Sequence, residues 1–292
     1  MSHPRWYAAF LVFAHLMMVI PHGTPQAIAS MAGNPNPSAS VEALTPHLTL
    51  TAQQRTRTLL TVLAHPDDEI IVAPLLARYA RMGASVHLAI ATDGQKGVRE
   101  HTGIPPGEAL ARARAEEARC ATDRLGIHPP ILLGLEDGSL ATFANLVRLQ
   151  EQVTKLFREL RPDVVITWGP EGAYGHPDHR MVGNVVTQVF QAGGEGWPRQ
   201  IFYPGLPSER LRIAPPWKGP SLHPVKRRYL TARVPYRQED LNRSREALAC
   251  YKTQFTEEEM KSIVFFLQRV NGGMVYLRPW FGGDKIKTDL FK

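Results

Sequence analysis

From residue 58 onward, short apolar runs alternate with amphipathic stretches, and this rhythm limits the possible folds of the 292-residue chain more than any other feature. TLLTVLAH (58–65), SVHLAIAT (85–92), ILLGL (131–135), DVVITWG (163–169) and RQIFYPGL (199–206) have the length and apolar content of buried strands. Between them lie EIIVAPLLARYARMG (69–83), PGEALARARAEEARCATDRLG (106–126), ATFANLVRLQEQVTKLFREL (141–160) and PDHRMVGNVVTQVFQAG (177–193), each with helical character. Strands that are apolar on both faces and separated by helices predict an α/β fold. We expect a Rossmann-like three-layer α/β/α sandwich with a mainly parallel sheet. After 206 the rhythm breaks. Residues 207–229 read as a long irregular loop, 231–236 as a late strand, and 237–254 and 256–270 as helices. The second of these opens on a Thr-x-x-Glu capping box. The aromatic, Gly-rich tail from 271 reads as a cover over one face.

The first 29 residues have a short basic start, an apolar stretch (6–20) and small residues at Ala27 and Ala29, the pattern of a cleaved secretory signal. The expectation is a secreted or periplasmic protein; the alternative is an uncleaved N-terminal membrane anchor. Residues 30–56, rich in Pro, Ser, Asn and Thr, read as a linker, and 57–292 as a single domain. The formal charge is +7, but Lys and Arg are scattered and not interleaved with aromatics, so no nucleic-acid partner is expected. Cys120 and Cys250 read as small core residues, with their pairing left open.

Two motifs interrupt the apolar pattern: AHPDDE (64–69) after the first strand and GHPDH (175–179) after the fourth. In an open α/β sheet, ligands bind beyond the carboxyl ends of the strands, and parallel strands bring both loops to that edge. His65, Asp67, Asp68, Glu69, His176, Asp178 and His179 can therefore converge across more than a hundred residues of chain. Each charged group there is costly to desolvate without compensation. Asp67 and Asp68 suit a helix N-terminus, and Pro177 suits a first helical position, so each motif alone has a structural explanation. Together they point to metal. Two His and one carboxylate plus an open position is the pattern of a catalytic zinc. His65 and Asp68, three residues apart, can grip one ion, with a His of the second motif completing the set. Zinc lowers the pKa of a bound water from 15.7 to about 7, and a carboxylate left beside the metal can take its proton. No G-x-G-x-x-G opens the first helix, which argues against a nucleotide-binding Rossmann protein.

AHPDDE with a downstream HPDH resembles the LmbE-like, or PIG-L, family of zinc-dependent N-acetylglucosaminyl deacetylases. The resemblance extends over about 58–254 through TDGQKG (92–97), RAEEARCATDRLGI (114–127), LEDGSL (135–140) and ALACYKTQ (247–254). It implies one zinc per chain held by His65, Asp68 and His179, with Asp67 as general base. It further implies that His176 stabilises the oxyanion or acts as an acid, with Asp178 tuning it. Arg114 matches a substrate-contacting position, and Asp93 and Asp137 match loop positions near the sugar pocket. Glu69 is left to a supporting role or to helix N-terminal charge. Lys252-Thr253-Gln254 stands where the family usually shows Ser-Gln. The implied reaction is de-N-acetylation of an N-acetylglucosamine-containing glycan, glycolipid or conjugate. Membrane contact is expected only through the N-terminal segment or a glycolipid substrate. Hydrolysis of a related amide, such as a thiol-sugar conjugate, and non-catalytic sugar binding are the alternatives. Iron or cobalt can also occupy such a donor set.

Overall fold

All six residues of β1 (Thr58–Leu63) are buried, because successive side chains enter opposite layers: Leu59 joins one hydrophobic cluster, Leu60 and Val62 the other. The computed structural model describes residues 56–212, 222–281, 283 and 285–292, within the unit Leu50–Lys292. The expected signal segment and, apart from Thr56, the expected linker lie outside the described residues.

In chain order β1 is followed by α1 (Ala73–Arg81), β2 (Ser85–Thr92), α2 (Glu108–Leu125), β3 (Ile131–Leu135), α3 (Phe143–Leu160) and β4 (Val164–Thr167). A distorted turn, α4 (Gly172–Gly175), leads directly to α5 (Pro177–Ala192) and then β5 (Gln200–Pro204). The short elements β6 (Leu206–Pro207), α6 (Ser208–Leu211) and β7 (Pro224–Val225) precede β8 (Ala232–Pro235), α7 (Gln238–Leu248), α8 (Glu257–Phe265) and β9 (Met274–Pro279). The main sheet has the order β3-β2-β1-β4-β5-β9-β8. Its first five strands are parallel, as expected; β9 is antiparallel to both neighbours. Helices α1 and α7 cover one face through Leu75, Leu76, Tyr79, Ala247 and Leu248. Helices α3 and α5 cover the other through Leu149, Val153, Phe157, Val182 and Val186. No described helix is long and apolar enough to cross a membrane.

Three expectations need correction. The helix expected over 69–83 is split into a 3-10 turn, Asp68–Ile71, and α1. Val72, at φ −117°, departs from helical backbone between them, and Pro74 in the first turn of α1 has no N–H to donate back to the Ile70 carbonyl, so the two pieces do not merge. The tail does not cover a face: Met274–Pro279 enters the sheet between β5 and β8, with Val275, Tyr276 and Leu277 buried. Cys120 and Cys250 are not separate core residues but a disulfide, with Cα atoms 5.9 Å apart. Packing of α2 against α7 brings Cys120 to the turn that follows α7.

The disulfide closes a loop of 130 residues. Breaking it releases that constraint on the unfolded chain, at a typical cost of about 2–5 kcal/mol. Cys120→Ser, or reduction of the wild type, is therefore expected to lower the urea midpoint clearly and to steepen the slope, because the uncrosslinked unfolded chain exposes more surface. Coincident unfolding curves with and without reductant would show that the bond contributes nothing.

Candidate metal centre and active site

The chain leaves β1 through Ala64 and turns sharply at Pro66-Asp67. Asp68 Oδ2 accepts hydrogen bonds from Ala64 N (3.0 Å), His65 N (2.9 Å) and the indole Nε1 of Trp168 (3.0 Å). One carboxylate oxygen is thereby committed, and Oδ1 is left 3.2 Å from His179 Nε2. His179 stands on α5, its ring stacked on Trp168 at a 4.4 Å centroid distance. A Cβ at Gly183 would lie 2.2 Å from Trp168 O, so glycine is needed for α5 to approach the end of β4 this closely. His179 Nδ1 faces Gly172 O at 3.3 Å, which places the ring proton on Nδ1 and the lone pair on Nε2.

His65 Nδ1 lies 3.2 Å from His179 Nε2 and 3.7 Å from Asp68 Oδ2. Donors about 2.0–2.1 Å from a tetrahedral zinc stand roughly 3.4 Å apart, so the spacing of these groups fits that ion. The other nitrogen of His65, Nε2, is 3.2 Å from Asp137 Oδ1 and 3.4 Å from Asp178 Oδ2, without a well-aligned hydrogen bond to either. Burial opposes protonation of His65, yet the Asp137, Asp178 and Asp68 carboxylates outweigh it and hold its pKa well above the usual value. A divalent cation satisfies the same concentration of negative charge. Asp68 is likewise held well below the carboxylate range: burial opposes its ionisation, but His179 and His65 overcome it.

Asp67 is not one of these three donors. Its backbone has φ 111°, a left-handed conformation rare outside glycine. Its carboxylate lies 3.2 Å from Arg114 Nη2. Burial pushes Asp67 up to about 6, against the pull of Arg114. Arg114 is only 3% exposed and also donates to Gly94 O and Pro66 O. In this structure it orients Asp67 and clamps the loops after β1 and β2.

His176 is the N-cap of α5: its Nδ1 accepts from Asp178 N at 3.2 Å. That leaves Nε2 as the protonated nitrogen. Burial, then His65 and His179, lower its pKa, which favours the neutral ring. Its ring stands 4.7 Å from that of His65 and 4.9 Å from that of His179. The Asp178 carboxylate does not reach His176. It accepts from Gly138 N (2.7 Å) and Leu140 N (3.2 Å) and faces His65. Asp137 accepts from Lys96 N at 3.0 Å; burial is outweighed by His65, and its carboxyl is held at about 2. Asp93 accepts from Gln95 N and Asp137 N, joining the loops after β2 and β3. The structure thus brings Asp137 and Asp178 to the imidazole of His65 and makes Asp93 a loop connector.

Several participants escaped sequence analysis. Trp168 lies in the fourth predicted strand, and its ring gave no separate signal. Tyr174 packs edge-on to His176 and His179. Tyr251, fully buried, donates to Glu69 Oε1 at 2.6 Å, and burial pushes the Glu69 carboxyl up to about 7. Glu69 is thus a buried support and not a surface helix charge. Thr253 N and Oγ1 donate to Glu117, and Gln254 Nε2 to Gly97 O. The Lys-Thr-Gln sequence keeps a hydroxyl that grips the glutamate of the Arg-Ala-Glu-Glu segment.

A Rossmann-like sheet thus gathers His65, Asp68 and His179 at its carboxyl edge, beside a buried, arginine-paired carboxyl, in a donor set suited to a divalent metal ion. Residues 60–190 match the model of the PIG-L family, described as GlcNAc-PI de-N-acetylase. It is 38% identical to the 1D-myo-inositol 2-acetamido-2-deoxy-alpha-D-glucopyranoside deacetylase of Rhodococcus jostii, over 47% of this chain and 54% of that one. It is 29% identical to the protein of the same name from Corynebacterium urealyticum, over 72% and 74%. The chain spans about half the length of the first curated relatives it matches. Among solved structures it resembles N,N'-diacetylchitobiose deacetylase from Pyrococcus horikoshii (TM-score 0.58, 18% identity, 76% of this chain and 83% of that one). It also resembles 4-carboxy-2-hydroxymuconate hydratase from Pseudomonas putida (TM-score 0.54, 15% identity, 78% and 98%). One fold carries both, so the fold alone does not select the reaction.

Proposed function

We propose that this protein is a zinc-dependent hydrolase that removes the acetyl group from an N-acetylglucosamine conjugate. The observation that carries the proposal is the convergence of His65 Nδ1, Asp68 Oδ1 and His179 Nε2 beside the raised carboxyl of Asp67. The names of the relatives support an acetylated amino sugar as substrate. When bound by those three residues, zinc supplies Lewis acidity that polarises the acetyl oxygen and acidifies an attacking water.

The chain's own groups do the rest. Asp67 takes a proton from the water as its oxygen bonds to the acetyl carbon, and Arg114 keeps the base oriented. The Nε2–H of His176 is the hydrogen-bond donor for the negative charge that develops on the carbonyl oxygen. As the C–N bond breaks, the proton held by Asp67 passes to the amine, giving acetate and a free amino sugar. Asp137 and Asp178 fix the His65 ring from its far side and so aim Nδ1 into the donor set.

The Cys120–Cys250 bond supports a location outside reducing cytoplasm, consistent with the signal-like character of residues 1–29. The test of function is acetate release from a panel of N-acetylglucosamine conjugates, with zinc-loaded and chelator-stripped protein. Metal-dependent release is the expected result. Release unaffected by stripping, or none from any conjugate by fully loaded protein, would overturn the proposal.

A further inference from the structure

The segment 250–254, just after α7, touches both loops that Arg114 clamps. Cys250 is bonded to Cys120 of α2. Tyr251, fully buried, donates at 2.6 Å to Glu69 Oε1, in the turn that carries Asp67 and Asp68. Thr253 grips Glu117 of α2 through both N (2.7 Å) and Oγ1 (2.6 Å). Gln254, itself buried, donates from Nε2 to Gly97 O at 3.1 Å in the loop after β2. A Cβ at Gly97 would stand 2.4 Å from Arg114 Nη1 and 3.3 Å from Gln254 Oε1, so Arg114 and Gln254 close over the same glycine.

Arg114, Glu117 and Cys120 recur at every third residue of α2, a row of neighbours along one flank of the helix. Arg114 holds Asp67 and both loops; Glu117 and Cys120 tie the same flank to 250–254. The donor atoms on the metal side are fixed elsewhere. Asp68 Oδ2 is held by Ala64 N, His65 N and Trp168 Nε1, and the His179 ring by Trp168 and Gly172 O. The side chains of Tyr251, Thr253 and Gln254 spend their hydrogen bonds on Glu69, Glu117 and Gly97, not on that donor set.

We propose that the segment 250–254, closed by the Cys120–Cys250 bond, is a positioning strap that aligns Asp67 and Arg114, so that the state of the disulfide sets turnover without setting zinc affinity. This rests on the deacetylase reading above and adds positioning residues, Tyr251 and Gln254, to it. Opening the bond frees the strap at its first residue, and the Tyr251 hydroxyl and the Gln254 amide lose their fixed placement with it. A displacement of about 1 Å in a reacting group is enough to cost on the order of 10²-fold in rate. Cys120 is exposed on α2, so a reductant reaches its sulfur.

The test compares oxidised wild type, wild type reduced by a water-soluble phosphine, Tyr251→Phe and Cys120→Ala/Cys250→Ala, all zinc-loaded and without denaturant. A phosphine is used because thiols themselves bind zinc. It supplies two electrons to the S–S bond, two protons from water complete the thiols, and the water oxygen ends on phosphorus. Reduction and Tyr251→Phe are each expected to lower kcat about tenfold or more, with KM and zinc affinity within about threefold of oxidised wild type. Oxidised glutathione should restore kcat after reduction. The doubly substituted variant should start low and ignore the phosphine. Unchanged kcat in the fully reduced protein or in Tyr251→Phe, parallel losses of kcat and zinc affinity, or a phosphine response that survives in the doubly substituted variant would overturn the strap. If no N-acetylglucosamine conjugate is turned over, the deacetylase reading falls by itself, and amide hydrogen exchange decides the strap independently. Faster exchange on reduction at 66–71 and 94–97, with 172–180 unchanged, supports it; unchanged exchange at 66–71 and 94–97, or uniform acceleration, overturns it.

Discussion

Replacing Asp67 by asparagine is expected to lower kcat by about 10²–10⁴-fold, the range contributed by a positioned general base, while the protein still binds zinc stoichiometrically. The two effects separate because Asp67 lies outside the three-residue donor set. Its carboxylate faces Arg114 Nη2 at 3.2 Å, whereas the proposed metal-binding atoms belong to His65, Asp68 and His179. Asparagine keeps an oxygen for Arg114 and the size of the side chain but cannot accept the water's proton. Burial already lifts the Asp67 carboxyl to about 6, so it is ionised at neutral pH yet basic enough to act. The check is kcat and metal content measured on the same sample. A variant with kcat within threefold of wild type would remove Asp67 from its role.

The second large effect falls on the metal itself. His179→Ala removes one donor, the ring stacked on Trp168 and the contact of Nδ1 with Gly172 O. Zinc affinity and acetate release are expected to disappear together. Trp168→Phe gives the graded counterpart. It keeps the stacking surface but deletes the indole N–H that holds Asp68 Oδ2. Loss of such an outer partner typically weakens a metal site by about 10–100-fold. Equilibrium dialysis against a zinc buffer measures both. Unchanged affinity in His179→Ala would exclude it as a ligand, and unchanged affinity in Trp168→Phe would make the indole bond incidental.

The motifs were legible in the sequence because their convergence follows from topology alone. Once β1 and β4 are parallel neighbours, the chain segments after Leu63 and Thr167 must emerge at one edge. What the sequence hid was the identity of each charge's partner. Asp178 stands two residues from His176, and proximity in sequence suggested that its carboxylate tunes that ring. In the folded chain its backbone N–H serves His176 while its carboxylate serves the 138–140 loop. Arg114 and Asp137 were legible as important but not as buried, because their burial depends on loops more than 40 residues away. The strand at 274–279 was obscured by its setting. It lies between a glycine pair and an aromatic pair, and its pairing with β5 and β8 is fixed only by the finished sheet.

The proposed metal position lies on the Nδ1 side of His65. The same imidazole has carboxylates on its other side, so two three-residue groups share it: His65 with His176 and His179, and His65 with Asp137 and Asp178. A crystal of the zinc-loaded protein, with anomalous data collected at the zinc edge, distinguishes the two sides directly. One strong peak is expected about 2.0–2.2 Å from His65 Nδ1, Asp68 Oδ1 and His179 Nε2, with Asp67 close by but not coordinating. A peak bounded instead by His65 Nε2, Asp137 and Asp178 would contradict it and move the reacting centre to the other face of the ring.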